Sequence, residues 1–338
     1  MPFLNTSDIL IKKSNNTIIK ITIDNNIKVH VLDNNFNETD CFQIFDGKYS
    51  FLDVYFDVDI HDNIYGLIDN KQGKIINLYI KDNKLKKDVL FKYDYKKFYI
   101  KSPYIKYLDN NTHIMYLSLN QDSSYLCSLI HIYKDDKNYI KSNIDFLEYN
   151  ILNNFIVIFN NHNEPMIFYF NIVDGFEELF MSTFDLNILT WTKPLQLTSS
   201  KKNKIYLSVI KGFSDDFHIS FSEKHDHKYY CFYMNISIKN SNFNINTSQL
   251  ILTNIMCLFP TLIQYKSNLH IQFVEYHDLY YCSSIDNGKN FTIPSVCDYI
   301  SNSNFIKNEY RYHDSYTDLS MHSLFIDKDL IYLNQYHS

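Results

Sequence analysis

Short stretches in which Ile, Val, Tyr and Phe alternate with polar residues recur along the whole chain, broken by turns rich in Asn and Asp. A period of two residues is the signature of a strand with one buried face. One unit returns repeatedly: a polar turn ending in Asn or Asp, then an alternating strand. It is read at Asn16-Thr17-Ile18-Ile19, Asn63-Ile64-Tyr65-Gly66, Thr112-His113-Ile114-Met115-Tyr116 and Asn163-Glu164-Pro165-Met166. It follows again at Phe217-His218-Ile219-Ser220-Phe221, Leu269-His270-Ile271-Gln272-Phe273 and Asp329-Leu330-Ile331-Tyr332. The turns fall at positions 16, 63, 111, 163, 216, 268 and 329. A second series, in which an aromatic strand enters an Asp or Asn turn, falls at Asp33, Asp82, Asp136, Asp185, Asn240 and Asp286. Both series advance by roughly 50 residues, room for about four strands and their turns, which is one propeller blade.

The expected fold is therefore an all-β propeller of four-stranded blades, a single domain over residues 1–338. Complete repeats span about residues 46–300, and the two ends, 1–45 and 305–338, supply a composite closing blade. That count favours six blades, with seven as the alternative. The strands expected to share the composite blade are Thr17–Asp24 and Lys28–Leu32 with Met321–Ile326 or Leu330–Asn334, because pairing the ends removes exposed sheet edges.

Composition sharpens this picture. The chain has no alanine, one arginine (Arg311), one tryptophan (Trp191) and six glycines, while Asn, Ile, Lys, Tyr and Phe abound. Such a mixture favours strands over helices. A net charge of −6, with Lys81–Lys97 balanced by Asp82, Asp88 and Asp94, leaves no basic stripe for a nucleic-acid backbone. The six cysteines (Cys41, Cys127, Cys231, Cys257, Cys282, Cys297) lack any C-x-x-C pair and read as buried free thiols rather than a zinc or redox motif. No apolar run reaches membrane-spanning length, and the first residues show no basic and apolar secretory pattern, so the expected compartment is the cytoplasm unless a leader has been removed.

The segment Ser284-Ile285-Asp286-Asn287-Gly288-Lys289-Asn290-Phe291 resembles the Asp-box hairpin, S-x-D-x-G-x-x-[WF], of the sialidase-like (BNR-repeat) propellers. A degenerate copy lies at Ser182, Asp185 and Trp191, and each aromatic precedes a Thr-x-Pro, Trp191-Thr192-Lys193-Pro194 and Phe291-Thr292-Ile293-Pro294. The resemblance implies a turn device built on Ser284, Asp286, Gly288 and Phe291, not a catalyst. Sialidases of that superfamily grip a carboxylate with three arginines, which a chain with only Arg311 cannot do, and lysine lacks the planar fork.

Candidate chemistry is sparse. Glu223-Lys224-His225-Asp226 is followed by Glu275-Tyr276-His277-Asp278, 52 residues later, each at the end of a second strand, with His227 extending the first copy and Tyr312-His313-Asp314 a third cluster. Imidazole beside carboxylate suits a divalent metal or sugar hydroxyls, so these six residues are the candidate ligand site, against the plainer reading of polar hairpin turns. His113, His218 and His270 recur before Ile at one repeat position and read as structural. Phosphate-loop, dinucleotide, serine-hydrolase and zincin motifs are missing from the sequence, and no cofactor is expected. The function expected is a non-enzymatic binding or scaffold propeller recognising a protein or glycan. A divergent propeller glycoside hydrolase with axial carboxylates is the first alternative, and a self-assembling structural protein is the second.

Overall fold

The computed structural model describes residues 8–23, 25–34, 36–108, 110–214, 216–239, 242–251, 255–297, 305–313 and 315–327. Among them there is no α-helix, and so none long and apolar enough to cross a membrane. The strands build a six-bladed β-propeller of four-stranded antiparallel sheets. Six is the smaller of the two counts the repeats allowed.

The first blade holds β1 (Ile9–Lys12), β2 (Ile18–Ile23), β3 (Asn26–Leu32) and β4 (Glu38–Asp46), and the second β5 (Val54–Val58), β6 (Ile64–Asp69), β7 (Lys74–Lys81) and β8 (Lys84–Lys92). The third holds β9 (Phe98–Leu108), β10 (Asn111–Asn120), β11 (Ser123–Asp135) and β12 (Tyr139–Glu148). In the fourth, β13 (Ile156–Phe159), β14 (Pro165–Val173) and β15 (Phe176–Asp185) are edged by the short β16 (Thr190–Trp191) and β17 (Leu195–Gln196). The fifth runs β18 (Lys204–Lys211), β19 (Asp216–His225), β20 (Lys228–Lys239) and β21 (Asn242–Ile251). The sixth runs β22 (Leu258–Tyr265), β23 (Asn268–Glu275), β24 (Asp278–Ser284) and β25 (Ser295–Val296).

The first repeat series marks the start of each second strand: β10, β19 and β23 begin on Asn111, Asp216 and Asn268 themselves. The second series marks the turn into each outer strand, with Asp82 between β7 and β8 and Asp136 between β11 and β12. Asn240 and residue 329 lie outside the described residues.

C-terminal strands join two sheets, one of which also holds the N-terminal strands β1 to β4. β26 (Phe305–Tyr312) lies parallel to β1, with Ile9 opposite Glu309 and Lys12 opposite Tyr312. β28 (Ser323–Asp327) follows β26 in that sheet, whereas β27 (Leu319–Met321) pairs with β22 in the sixth blade. The missed strand is β26: its buried Phe305 and Tyr310 lie five residues apart across the polar run Lys307-Asn308-Glu309 and so show no period of two. Leu330–Asn334 and Asp24 lie outside the described residues.

The chain divides into two compact units, Met1–Tyr149 with Asn308–Tyr316, and Asn150–Lys307 with Thr317–Ser338. In the first, Phe56, Ile64, Ile68 and Leu78 of the second blade pack on Ile9, Ile11, Ile21 and Val29 of the first. The intervening residues Tyr65, Leu67 and Ile75 turn the other way, onto Ile105, Ile114 and Ile132 of the third. Blades buried on both faces explain why the apolar runs are denser than a one-sided sheet needs. In the second unit, Phe168 and Met181 of the fourth blade meet Phe217, Ile219 and Phe221 of the fifth, and Cys231 and Tyr233 of the fifth meet Leu262, Ile271 and Phe273 of the sixth.

The two Thr-x-Pro segments do the same structural work. Thr192 and Thr292 each pair their amide with a carbonyl, of Thr183 and Ser283, at 2.8 Å. The hydroxyl oxygen of each accepts the amide of that same residue at 3.0 Å. Pro194 and Pro294 precede short outer strands, an edge position where a missing N–H costs least. In the Ser284–Phe291 hairpin, Asp286 accepts the Ser284 hydroxyl (2.7 Å) and the Asn290 amide (2.9 Å). Gly288 has φ +81°, and its position against the Tyr233 hydroxyl leaves no room for a Cβ. Phe291 packs edge-on to Tyr233 at 4.9 Å.

Candidate functional site

Antiparallel meanders put alternate connections at the same end of a blade. In the first unit, the β6–β7 turn, the β8–β9 connection and the β10–β11 turn therefore meet at one end of the second and third blades. The Tyr93 amide donates to the Gly73 carbonyl, and the Gln121 amide to the Lys97 carbonyl, both at 2.9 Å. Gly73, at φ +83°, permits this approach, since a Cβ there would lie 2.6 Å from the Tyr93 carbonyl oxygen. Between these connections opens a cavity of about 460 Å³ lined by Asp69, Lys71, Tyr93, Tyr95, Lys96, Tyr99, Lys101 and Gln121.

Two of the lining residues, Lys71 and Lys101, belong to an ion network with Asp53. Asp53 ends a short 3₁₀ turn, Phe51–Asp53, whose capping Ser50 donates both its amide and its hydroxyl to the carboxylate at 2.9 Å. Lys101 and Lys71 approach Asp53 to 2.7 and 2.8 Å. Burial alone would raise the Asp53 carboxyl, but the two ammonium groups outweigh it and hold the group below the usual carboxylate range. Asp69 differs: burial pushes it up despite the hydrogen bond from the Tyr93 hydroxyl at 2.7 Å. The same burial and the neighbouring Asp69 keep the Tyr93 phenol neutral. On the same lining, Tyr95 and Tyr99 stand 47% and 52% exposed. Fixed donors and acceptors beside exposed aromatic rings form the usual composition of a small-ligand site.

A second polar cluster in this unit gathers on β5, β9 and β26. Asp57 accepts from the Tyr65 hydroxyl (3.0 Å) and Lys106 (3.2 Å). Tyr55 and Tyr104 pack at 4.7 Å, and the Arg311 guanidinium lies 5.1 Å from the Tyr55 ring and pairs with Glu309 at 3.1 Å. Burial, reinforced by neighbouring Asp57, pushes both phenols up, so they are hydrogen-bond donors and not bases at neutral pH. The lone arginine is thus stacked and paired within the protein.

The six candidate ligand residues singled out from the sequence lie in the second unit, with unlike surroundings. Glu223 is buried near the end of β19, accepting from Ser200 at 2.7 Å and lying 2.9 Å from His225 Nε2 and 3.8 Å from Lys204. Lys204, fully buried, donates to Glu178 and to the carbonyls of Glu177 and Lys202, each at 2.8 Å. Lys202 completes the group, 3.0 Å from His225 Nδ1. Glu275 instead accepts the Met256 amide at 2.8 Å. The two hairpins also turn at different places. His225 pairs with Lys228 across a turn at Asp226 and His227, whereas Glu275 pairs with Asp278 across Tyr276 and His277. Glu223 and Glu275 share a repeat position, but the second hairpin is two residues shorter in each arm, so the His and Asp residues are not equivalent. In the third cluster, His313 bonds Ser315 at 2.9 Å, and Asp314 lies outside the described residues.

His113 and His218 are fully buried at the third positions of β10 and β19. His113 lies 3.0 Å from His131, and His218 lies 2.7 Å from the Tyr233 hydroxyl. Burial pushes both imidazoles down to about 4, so they are neutral at pH 7.

The cavity escaped the sequence reading because its lining comes from three separated segments. The available signal was the density of Tyr and Phe among the lysines of residues 91–101.

No protein family model matches the chain, and no curated protein matches its sequence. Solved structures do share its fold. An ulvan lyase of polysaccharide lyase family PL25, solved with a -[GlcA(1-4)Rha3S]- ligand, is 8% identical with a TM-score of 0.61, covering 97% of this chain and 96% of its own. The polysaccharide lyase Uly1 is 10% identical with a TM-score of 0.55, over 96% and 90% of the two chains. The WD40 domain of SCAP from fission yeast is 12% identical with a TM-score of 0.50, over 96% and 73%. At these identities the likeness is one of fold.

Proposed function

We propose that this propeller is a carbohydrate-binding protein whose site is the cavity lined by Tyr95 and Tyr99. The observation that carries the reading is the pairing of two half-exposed tyrosine rings with a prearranged polar network, in which Asp53, Lys71, Lys101, Asp69 and Tyr93 already hold one another in place. Sugar rings offer apolar C–H faces to aromatic rings and hydroxyls to fixed donors and acceptors. A network that is ordered before binding lowers the entropic cost of capturing such a ligand. Three ammonium groups, Lys71, Lys96 and Lys101, face two carboxylates, Asp69 and the Asp53 paired with Lys71 and Lys101, an excess that favours sugars bearing a carboxylate or sulfate. That preference has a parallel in the acidic glycan bound to one fold neighbour, although identity of 8% carries only the fold.

We also read the Ser284–Phe291 hairpin as an Asp-box of the sialidase-like kind, on its Ser284–Asp286–Asn290 bonding and its Gly288 and Phe291 packing. In this reading it stabilises a blade and binds nothing. The Glu223–His225 and Glu275–His277 hairpins are a separate proposed ligand face, weaker than the cavity because Glu223 already neutralises buried Lys204.

The test is calorimetry against neutral, uronate-containing and sulfated oligosaccharides, using wild type, Tyr95→Ala/Tyr99→Ala and Lys96→Ala. Truncating a ring that anchors a ligand costs on the order of 2 kcal/mol, so the double variant should bind at least about tenfold more weakly. Lys96→Ala should weaken acidic sugars more than neutral ones. Equal binding by wild type and the tyrosine double variant would remove the site from this cavity, and no binding across the panel would refute the reading.

A further inference from the structure

Five of the six cysteines are buried free thiols, as their apolar surroundings in the sequence suggested, but Cys41 is exposed. It sits on β4, the outermost strand of the first blade, directly opposite His30 on β3. The ladder shifts register between Val31 and Leu32, so that Glu38 pairs with Leu32 and its carboxylate reaches back to the imidazole. Glu38 Oε2 lies 2.7 Å from His30 Nδ1. One ligand atom from each of His30, Glu38 and Cys41 falls within 4.8 Å of the other two. On the far side of the ring, His30 Nε2 lies 3.2 Å from the Thr22 hydroxyl on β2.

We propose that His30, Glu38 and Cys41 form a binding site for a borderline divalent metal ion of the zinc class. A nitrogen, an oxygen and a sulfur donor on one face of a strand pair match the ligand types such ions take. Three protein ligands leave a fourth position open to water or to an outside ligand. The Thr22 hydroxyl supplies the orienting partner that metal-bound histidines nearly always have: accepting from Nε2–H, it leaves the Nδ1 lone pair facing Glu38 and Cys41. The contact between Nδ1 and Glu38 is then the place where the ion replaces a bridging proton. Small rotations of the exposed Cys41 and Glu38 side chains suffice to close the set, because neither is packed into the core. A hard ion such as magnesium or calcium is disfavoured by the thiolate and imidazole.

The experiment uses the reduced, full-length chain titrated with Co²⁺ and then Zn²⁺. The expected result is a thiolate-to-cobalt charge-transfer absorption that saturates at one equivalent and is discharged by Zn²⁺. Cys41→Ser should abolish the band. Glu38→Gln, at an exposed position, should weaken cobalt binding about tenfold or more, and Thr22→Val should do so by about tenfold through loss of the orienting bond. Alkylation of the exposed thiol gives an independent readout: Zn²⁺ should slow it in wild type and much less in Glu38→Gln. A folded protein that gives no charge-transfer band overturns the proposal, as does a band that persists in Cys41→Ser. Zinc that leaves the alkylation rate unchanged overturns it too.

Discussion

Replacing Lys204 by methionine tests how the second unit holds its blades. The Lys204 side chain is entirely buried and spends its three N–H bonds on Glu178 and on the carbonyls of Glu177 and Lys202, each at 2.8 Å. Glu178 also accepts the Thr198 hydroxyl (2.5 Å) and the Lys201 amide (2.7 Å), while Glu223 lies 3.8 Å from the ammonium. Methionine preserves most of the volume but leaves two buried carboxylates without their shared cation and two carbonyls without a donor. Breaking a buried pair from one side costs about 3–5 kcal/mol. The surviving bonds to Glu178 and Glu223 place the expectation toward the lower end, about 3 kcal/mol. Neutralising the partner as well, in Lys204→Met/Glu178→Gln, should recover a large part of that loss, because the penalty comes from the unpaired charge and not from the missing bond alone. Urea unfolding followed by tyrosine fluorescence and by circular dichroism reads both variants. The midpoint should fall for Lys204→Met with an unchanged slope, and rise again in the double variant. A loss below about 1 kcal/mol, the scale of a surface pair, would show that water reaches this network and that the burial argument is wrong.

Asp286 is held at about 2 by the Asn290 amide and side chain and by the Ser284 hydroxyl. A carboxylate depressed in the folded state stabilises above its unfolded value near 4. Asp286→Ala should therefore lower stability at neutral pH, and its deficit should vanish as pH falls from about 4 to about 2 in acid-titrated unfolding curves. Gly288→Ala forces a Cβ to within 1.8 Å of the Tyr233 hydroxyl at φ +81°. A loss of about 1–3 kcal/mol from strain is expected in thermal unfolding, and a neutral result would show that the hairpin can move off Tyr233. Burial depresses His113 and His218 to about 4 and also lowers His131 and His270. The unfolded chain then binds more protons between about pH 6.5 and 4, so stability should decline across that window, and His218→Gln should flatten the decline measured by urea midpoints. Finally, His225→Ala/His277→Ala should leave glycan binding at the tyrosine cavity unchanged in calorimetry, and a loss would move the ligand to the second unit's hairpins.

Much of the architecture was legible because strand formation is local. Alternation of apolar residues, the Asn and Asp turns and the lack of alanine act within a few residues, and a shared period of about 50 follows when each blade repeats the same four-strand path. Asn111, Asp216 and Asn268 begin their strands at the positions the repeats marked, and Asp286 accepts hydrogen bonds from Ser284 and Asn290 in its turn. Buried His113 and His218 stood at one repeat position in the sequence, whereas buried His131 did not.

What the sequence could not show depends on where separate segments meet. Lys204 closes the run Lys201-Lys202-Asn203-Lys204, and its head is buried because Glu178 and Glu223 arrive from other strands. The tyrosine cavity is lined by Asp69 and Lys71, by residues between 93 and 101 and by Gln121, and no short window contains them together. The shared repeat position of Glu223 and Glu275 suggested equivalent hairpins, but a difference of two residues in arm length gave them different turns and partners. The sequence by itself determined strands, turns and repeat, because those follow from local propensity and side-chain periodicity. Only the tertiary structure decided which charges are buried, which tyrosines stay exposed and which donors converge, because burial and electrostatics depend on neighbours brought together across many residues of chain.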